Sequence, residues 1–235
     1  MDISTMRSYV RSAVDIDASD ISDDVMNRFL GEAYDVIVYS EKRWPFFEAT
    51  TSFETVGAQK DYTVAVVGAA LTNGLREIAS LRTGNQVLEY IGRDDGDVIY
   101  PLDSNTTGNP WYWSFWADSI RLYPTPGSGD TVYVRGYKAP AAFGAGVSDS
   151  TEPSDLPTPL HMVLATYGIA RAYEQQEDPT MSAQYFSIFN QELDNLRARY
   201  EDMPAAQPVR INSRSASRWM SQSYLPRRLR YGWEL

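Results

Sequence analysis

Arg43-Trp44-Pro45-Phe46-Phe47-Glu48 is the stretch on which the fold turns, because apolar residues are spaced differently on its two sides. Before it, Val25, Phe29, Ala33, Val36 and Ile37 recur at helical intervals; after it, Phe47, Ala49, Thr51, Phe53 and Thr55 alternate with polar neighbours. Pro45 enforces the change, since the residue before a proline is driven out of the α region. A helix closes here and a β region opens.

Toward the N-terminus, Ile3, Met6, Val10, Ala13 and Val14 form a first helical stripe, separated from the second by Asp17-Ala18-Ser19-Asp20. Ser22 suits an N-cap, and Asp23 and Asp24 fall where the helix dipole favours negative charge.

Toward the C-terminus, Gly57-Ala58-Gln59-Lys60 reads as a turn into Tyr62-Thr63-Val64. Strands are predicted at 75–82 and 86–91 around Thr83-Gly84-Asn85, and at 111–116 and 119–123 around Ala117-Asp118. A last strand at 131–138 sets Val132 and Val134 against Tyr133, Arg135 and Tyr137. Such alternation describes antiparallel strands with one buried face. Residues 141–156, rich in Ala, Gly, Ser and Asp, read as a flexible connection.

Helical spacing returns after Thr158-Pro159, with Leu160, Val163, Leu164, Tyr167, Ala170 and Tyr173. Asp178-Pro179 opens another helix carrying Tyr185, Ile188, Phe189, Leu193, Leu196 and Tyr200, up to Pro204. No single-striped helix is stable alone in water, so the simplest arrangement buries the four stripes together. The predicted class is α+β: a four-helix bundle of two N-terminal helices within 2–44 and two C-terminal helices within 157–203. An antiparallel β region is inserted at about 46–140, and an extended C-terminal arm follows. The domain is expected over 1–203 and the arm over 204–235.

Charge divides the chain at the same point. The whole carries −10, but residues 204–235 hold six arginines against Glu234 alone, which leaves −15 on residues 1–203. An acidic body argues against gripping nucleic acid, because phosphate contacts supply most of that affinity. The arm seeks an acidic surface instead. Its apolar residues Ile211, Trp219, Met220, Tyr224, Leu225, Tyr231 and Trp233 alternate with Arg210, Arg214, Arg218, Arg227, Arg228 and Arg230. Aromatic anchors between arginines suit a segment that docks by filling pockets and pairing charges.

There is no cysteine, which excludes disulfides, thiolate catalysis and Cys-ligated metals. Met1-Asp2-Ile3-Ser4 does not start a secretory leader, and the longest apolar stretch, 64–71, is far short of the ~20 residues of a membrane span. Synthesis in the cytoplasm is expected, with no membrane partner. His161 is the only histidine, and no G-x-S-x-G elbow accompanies it; it is expected on a helix surface or at an interface. Arg93-Asp94-Asp95-Gly96-Asp97 lacks the alternating acids and distal Glu of a calcium loop and reads as an acidic turn or a short helix. Neither a cofactor nor a metal is expected, and no enzymatic activity. Trp111, Trp113, Phe115 and Trp116 lie on one aromatic run, either a sugar-stacking platform or a strand straddling core and interface.

The order of these pieces resembles the head-to-tail adaptor (connector) proteins of tailed bacteriophages, including the tail tubular, portal-binding ring proteins of short-tailed phages. The likeness rests on the paired N-terminal helices ending in 43–48, the strand Leu75-Arg76-Glu77-Ile78, and Gly108-Asn109-Pro110 leading to Ile120-Arg121-Leu122-Tyr123-Pro124-Thr125-Pro126. Leu156-Pro157, the helix bearing Tyr167 and Tyr173, and the turn Gln176-Glu177-Asp178 complete it. The resemblance implies a structural virion protein of the neck, forming a ring, typically of twelve copies, beneath the portal protein. Helices would pack subunit to subunit around a DNA channel through which duplex DNA passes without specific binding. The arm would reach the portal, and the β region would face a tail nozzle, tail-tube or tail-fibre component, with Trp111, Trp113, Phe115 and Trp116 as tail or inter-subunit contacts. The rival readings are a carbohydrate-binding or baseplate β-module of the virion and a cell-wall glycosidase.

Overall fold

The computed structural model describes residues 1–41, 43–84, 86–101, 107–127 and 129–201. Met1–Tyr200 forms one compact unit. Its four long helices are α1 (Ile3–Val14), α2 (Asp23–Ser40), α5 (Leu160–Gln175) and α6 (Pro179–Glu201), and two short ones are α3 (Val64–Val67) and α4 (Arg93–Ile99). Eight strands lie between α2 and α5: β1 (Glu48–Glu54), β2 (Asp61–Thr63), β3 (Leu75–Thr83), β4 (Gln86–Val87), β5 (Glu89–Tyr90), β6 (Tyr112–Trp116), β7 (Ser119–Tyr123) and β8 (Thr131–Lys138).

The strands make two four-stranded sheets, ordered β1-β8-β3-β4 and β2-β7-β6-β5. Phe53, Leu81, Val132 and Val134 of the first sheet share a core with Tyr62, Trp113, Ile120 and Leu122 of the second. This is a sandwich with its own interior. The expectation of a four-helix bundle carrying a small β insertion is therefore corrected to a mixed α+β fold, with six α-helices and two full sheets among the described residues. The pairing is also not wholly antiparallel, since β5 runs parallel to β6.

The helical side is organised around α5. Leu160, Val163, Leu164, Ala165, Ile169, Ala170 and Ala172 are all buried, a wider face than one amphipathic stripe. Small residues permit it: a Cβ on Gly168 would lie 3.1 Å from Val10 and 3.3 Å from Leu30, so α1 and α2 both close onto α5 at this point. Asp178 opens α6 as its proline context predicts, its carboxylate accepting from the backbone N–H groups of Thr180 and Met181 at 3.1 Å each.

Two boundaries differ from expectation. Helix α2 ends at Ser40 rather than at Pro45. Its free carbonyls are satisfied from outside: the Trp44 indole N–H donates to Ile37 O at 2.9 Å, and Arg76 donates to Val38 O at 3.4 Å. The connection at 141–156 is docked rather than loose. Phe143 packs on Tyr34 with ring centroids 5.4 Å apart, and Thr151 O accepts from Ile3 N at 3.0 Å. The buried Asp155 carboxylate accepts from Lys138 Nζ and Ala141 N, both at 2.6 Å. The Ala, Gly and Ser content that suggests flexibility lets this segment lie flat against α1 and α2.

Candidate assembly surfaces

Trp44 and Phe47, either side of Pro45, are buried where the helices meet the sandwich. Phe46 stacks on Trp44 at 5.2 Å and meets Tyr200 of α6 edge-on at 5.6 Å. On the strand side the Arg76 guanidinium lies 5.6 Å over the Phe47 ring, and Arg43 pairs with Glu77 at 2.7 Å. The stretch at which the sequence period changes is thus the joint between the two cores.

The outer face of β7 carries a polar network. Arg121, almost buried, donates to both oxygens of Asp61 at 2.8 and 2.7 Å and to Asp97 of α4 at 3.0 Å. The Tyr123 hydroxyl adds a 3.0 Å bond to Asp97, and a Cβ on Gly96 would collide with the Tyr123 ring. Together these clamp α4 flat on the sheet. The hydrogen bonds from Arg121 hold the Asp61 carboxyl below the usual carboxylate range, and Asp61 in turn raises Arg121. The segment Arg93–Asp97 is therefore the start of a short helix held by an ion-pair network.

Of the aromatic run, Trp113 is 6% exposed and belongs to the sandwich core, where Tyr90 meets it edge-on at 5.0 Å. Trp111, Phe115 and Trp116 are 56%, 39% and 67% exposed, and Tyr90, which the sequence reading did not single out, is 58% exposed. The strand geometry explains their exposure, and its alternation sets Trp116 on the opposite face from Trp111 and Phe115. The edge strand β5 pairs only with Tyr112 and Trp113, so the end of β6 projects past it. Ala117 and Asp118 then turn with φ of 48° and 54°, a tight hairpin that leaves Trp116 at its base. Exposed apolar side chains also stand on the helices: Tyr9, Val36, Tyr39, Met162 and Ile188. These lie within or beside the stripes, and sequence period alone does not separate them from core positions.

His161 is buried rather than on a helix surface. Its Nδ1 faces the Met1 amine at 2.8 Å and its Nε2 faces Leu156 O at 3.3 Å, and burial lowers its pKa. Its two ring nitrogens are engaged in structure. No described helix is long and apolar enough to cross a membrane. The proposed docking residues of the arm, Arg210, Ile211, Arg214, Arg218, Trp219, Met220, Tyr224, Leu225, Arg227, Arg228, Arg230, Tyr231 and Trp233, lie outside the described residues.

A family profile described as SU10 adaptor protein matches residues 1–212. The chain belongs to the SU10 adaptor protein family. The match takes in both cores and the joint between them, and extends eleven residues past α6, which ends at Glu201. Membership makes this chain a phage adaptor, a structural component of the virion that contacts other head and tail proteins. No curated protein matches the chain.

Proposed function

We propose that this SU10-family adaptor forms a closed ring, of twelve copies, between the portal protein and the tail, and that duplex DNA passes through it. The observation that carries the reading is a set of exposed aromatics on a chain of an adaptor family: Tyr90, Trp111 and Phe115 on the Trp113 face of the sheet, and Trp116 on its opposite face. Exposed Trp and Tyr are typical anchors of protein interfaces. In this reading these aromatics receive a tail nozzle, tail-tube or fibre component, or the next subunit. The helix residues Tyr39 and Met162 are candidates for contacts around the ring. A channel through a neck requires cyclic symmetry, hence a heterologous interface in which different patches of neighbouring copies meet.

The arm, residues 204–235, is the portal-binding element. Its Trp219 and Trp233 are the proposed anchors and its arginines the charge partners. The body, at −15 per copy, would give an acidic lumen that repels phosphate and lets DNA slide. The test is portal affinity, measured with the full chain and with a chain ending at Met203. The truncated chain should stay folded and bind far more weakly. Trp219→Ala or Trp233→Ala should each lose ~1–3 kcal/mol of binding. Unchanged affinity of the truncated chain would remove the arm from the portal interface. Turnover of peptidoglycan by the purified chain would instead favour the wall-degrading alternative.

A further inference from the structure

The four edges of the sandwich are unequal. Strands β2, β4 and β5 are three, two and two residues long, and the part of β3 that β4 leaves uncovered is broken by two register shifts, whereas β1 runs seven residues at the edge of its sheet. Its register with β8 is unbroken, and Glu48-Ala49-Thr50-Thr51-Ser52-Phe53-Glu54 contains no proline or lysine. Long, straight edges without such breaks are templates for another strand, and proteins usually blunt them.

The ladder fixes which groups point outward. Thr55 N donates to Asp130 O at 2.9 Å, so Thr55, Phe53, Thr51 and Ala49 spend their main-chain groups on β8. Those of Glu54, Ser52, Thr50 and Glu48 face away. One step further, at Val56, the outward N–H donates to the Tyr62 hydroxyl at 3.0 Å, and that hydroxyl donates to Val56 O at 3.3 Å. The row is capped there, and among the described residues no hydrogen bond reaches the outward main-chain groups of Thr50, Ser52 or Glu54. Their side chains are exposed, with an acid at each end of the strand.

We infer that this edge receives residues 208–214 of a second copy as an added antiparallel strand. The inference rests on the ring reading above. Within Pro208-Val209-Arg210-Ile211-Asn212-Ser213-Arg214, Val209 and Ile211 fall on one parity and Arg210, Asn212 and Arg214 on the other. With Arg210 set opposite Ser52, Val209 falls beside Phe53 and Ile211 beside Thr51, extending the core face. Arg214 then falls opposite Glu48, and Arg210 lies diagonal to Glu54, within reach of a cross-strand ion pair. A parallel alignment that keeps Arg210 beside Ser52 leaves Glu48 without a basic partner. Proline is tolerated as the first residue of such a strand. The family match ends at residue 212, so it includes most of this segment, while the anchors from Trp219 onward lie beyond it. The proximal arm therefore joins copy to copy, and the distal arm continues to the portal.

The chain's lack of cysteine gives a clean background for the test. Full-length Thr50→Cys and Asn212→Cys chains are mixed, assembled on the portal, imaged and oxidised. Rings containing disulfide-linked dimers are expected, about ten-fold above the out-of-register pair Thr50→Cys with Ser217→Cys, because docking raises the effective concentration of one partner only. Rings without a register-specific cross-link would overturn the inference and leave the ring reading standing. Absence of rings would overturn both. A monomeric cross-link in a chain carrying both cysteines would show the arm folding back on its own body, also against it. Ser52→Pro removes only an outward N–H, so the body should fold and melt as before while the cross-link is lost; an undiminished cross-link would equally overturn the inference.

Discussion

In the helical layer, α5 is enclosed by its neighbours through Ala165, Gly168 and Ala172, and its histidine, His161, is buried. In the sandwich, the inner face is as dry, but the outer face keeps the Arg121, Asp61 and Asp97 network and one edge sets out Trp111 and Trp116. The first region is organised by close approach of backbones, the second by charge pairing and by side chains left for a partner. The two cores are therefore sensitive to different insults.

The largest effect is expected where the two regions meet. Trp44→Ala removes a fully buried ring and a cap on α2, and should cost ~3–5 kcal/mol in thermal or denaturant unfolding. Loss of protection in both cores by hydrogen exchange would follow; loss in one alone would break the idea that Trp44 joins them. Next come changes confined to one side. Gly168→Val forces α1 and α2 off α5 and should cost about 1–3 kcal/mol, read as faster exchange in those helices. Arg121→Met strands two carboxylates and should cost a similar ~1–3 kcal/mol, but its effect belongs to α4, β2 and β7. Equal loosening of both regions by either variant would contradict the division.

Acidification separates the regions without mutation. The folded-state pKa of His161 lies below its ordinary 6.5, so the unfolded chain binds the proton first. The stability it contributes is complete above pH 6.5 and declines as pH falls below that value. Asp61 also has a depressed folded-state pKa, against an ordinary 3.8, so its contribution persists to about that pH and is lost only as pH falls through the lower folded value. Exchange measured from pH 7 downward should therefore show the helical layer weakening first. His161→Gln should flatten the upper part of that profile and leave the acid limb. The smallest stability effect belongs to the exposed aromatics: Trp116→Ala should shift unfolding by less than ~0.5 kcal/mol while reducing capture of the tail partner.

The long helices were legible because 3.6-residue stripes, Asp178-Pro179 and the acids at Asp23 and Asp24 are local signals. The hairpin around residue 117 was legible for the same reason, whereas the strand expected over 86–91 divides into β4, which pairs with β3 over two residues, and β5, which joins the other sheet. The sandwich was not legible, since β1 pairs with β8 across the whole region and β5 finds β6 in parallel, and neither pairing leaves a mark on strand alternation. Val64-Ala65-Val66-Val67 looks like a continuing strand, yet Thr63 caps it as a helical turn, an ambiguity inherent in short apolar runs. At the candidate surface, the aromatic run was visible, but which rings face inward was not. Trp113 is covered because it points into the sandwich core with Ile120 and Leu122, whereas Trp111 and Trp116 lie at strand ends. His161 was misplaced outward because its covering groups, the Met1 amine and Leu156 O, approach from outside its own helix.

The proposed ring on the portal is open to direct test. Particle imaging of the full-length chain mixed with its portal protein tests it most directly. A closed ring of twelve copies stacked coaxially on the portal is expected, with Trp111 and Phe115 at a contact surface. One or two copies bound to the side of the portal, or no complex at all, would contradict it.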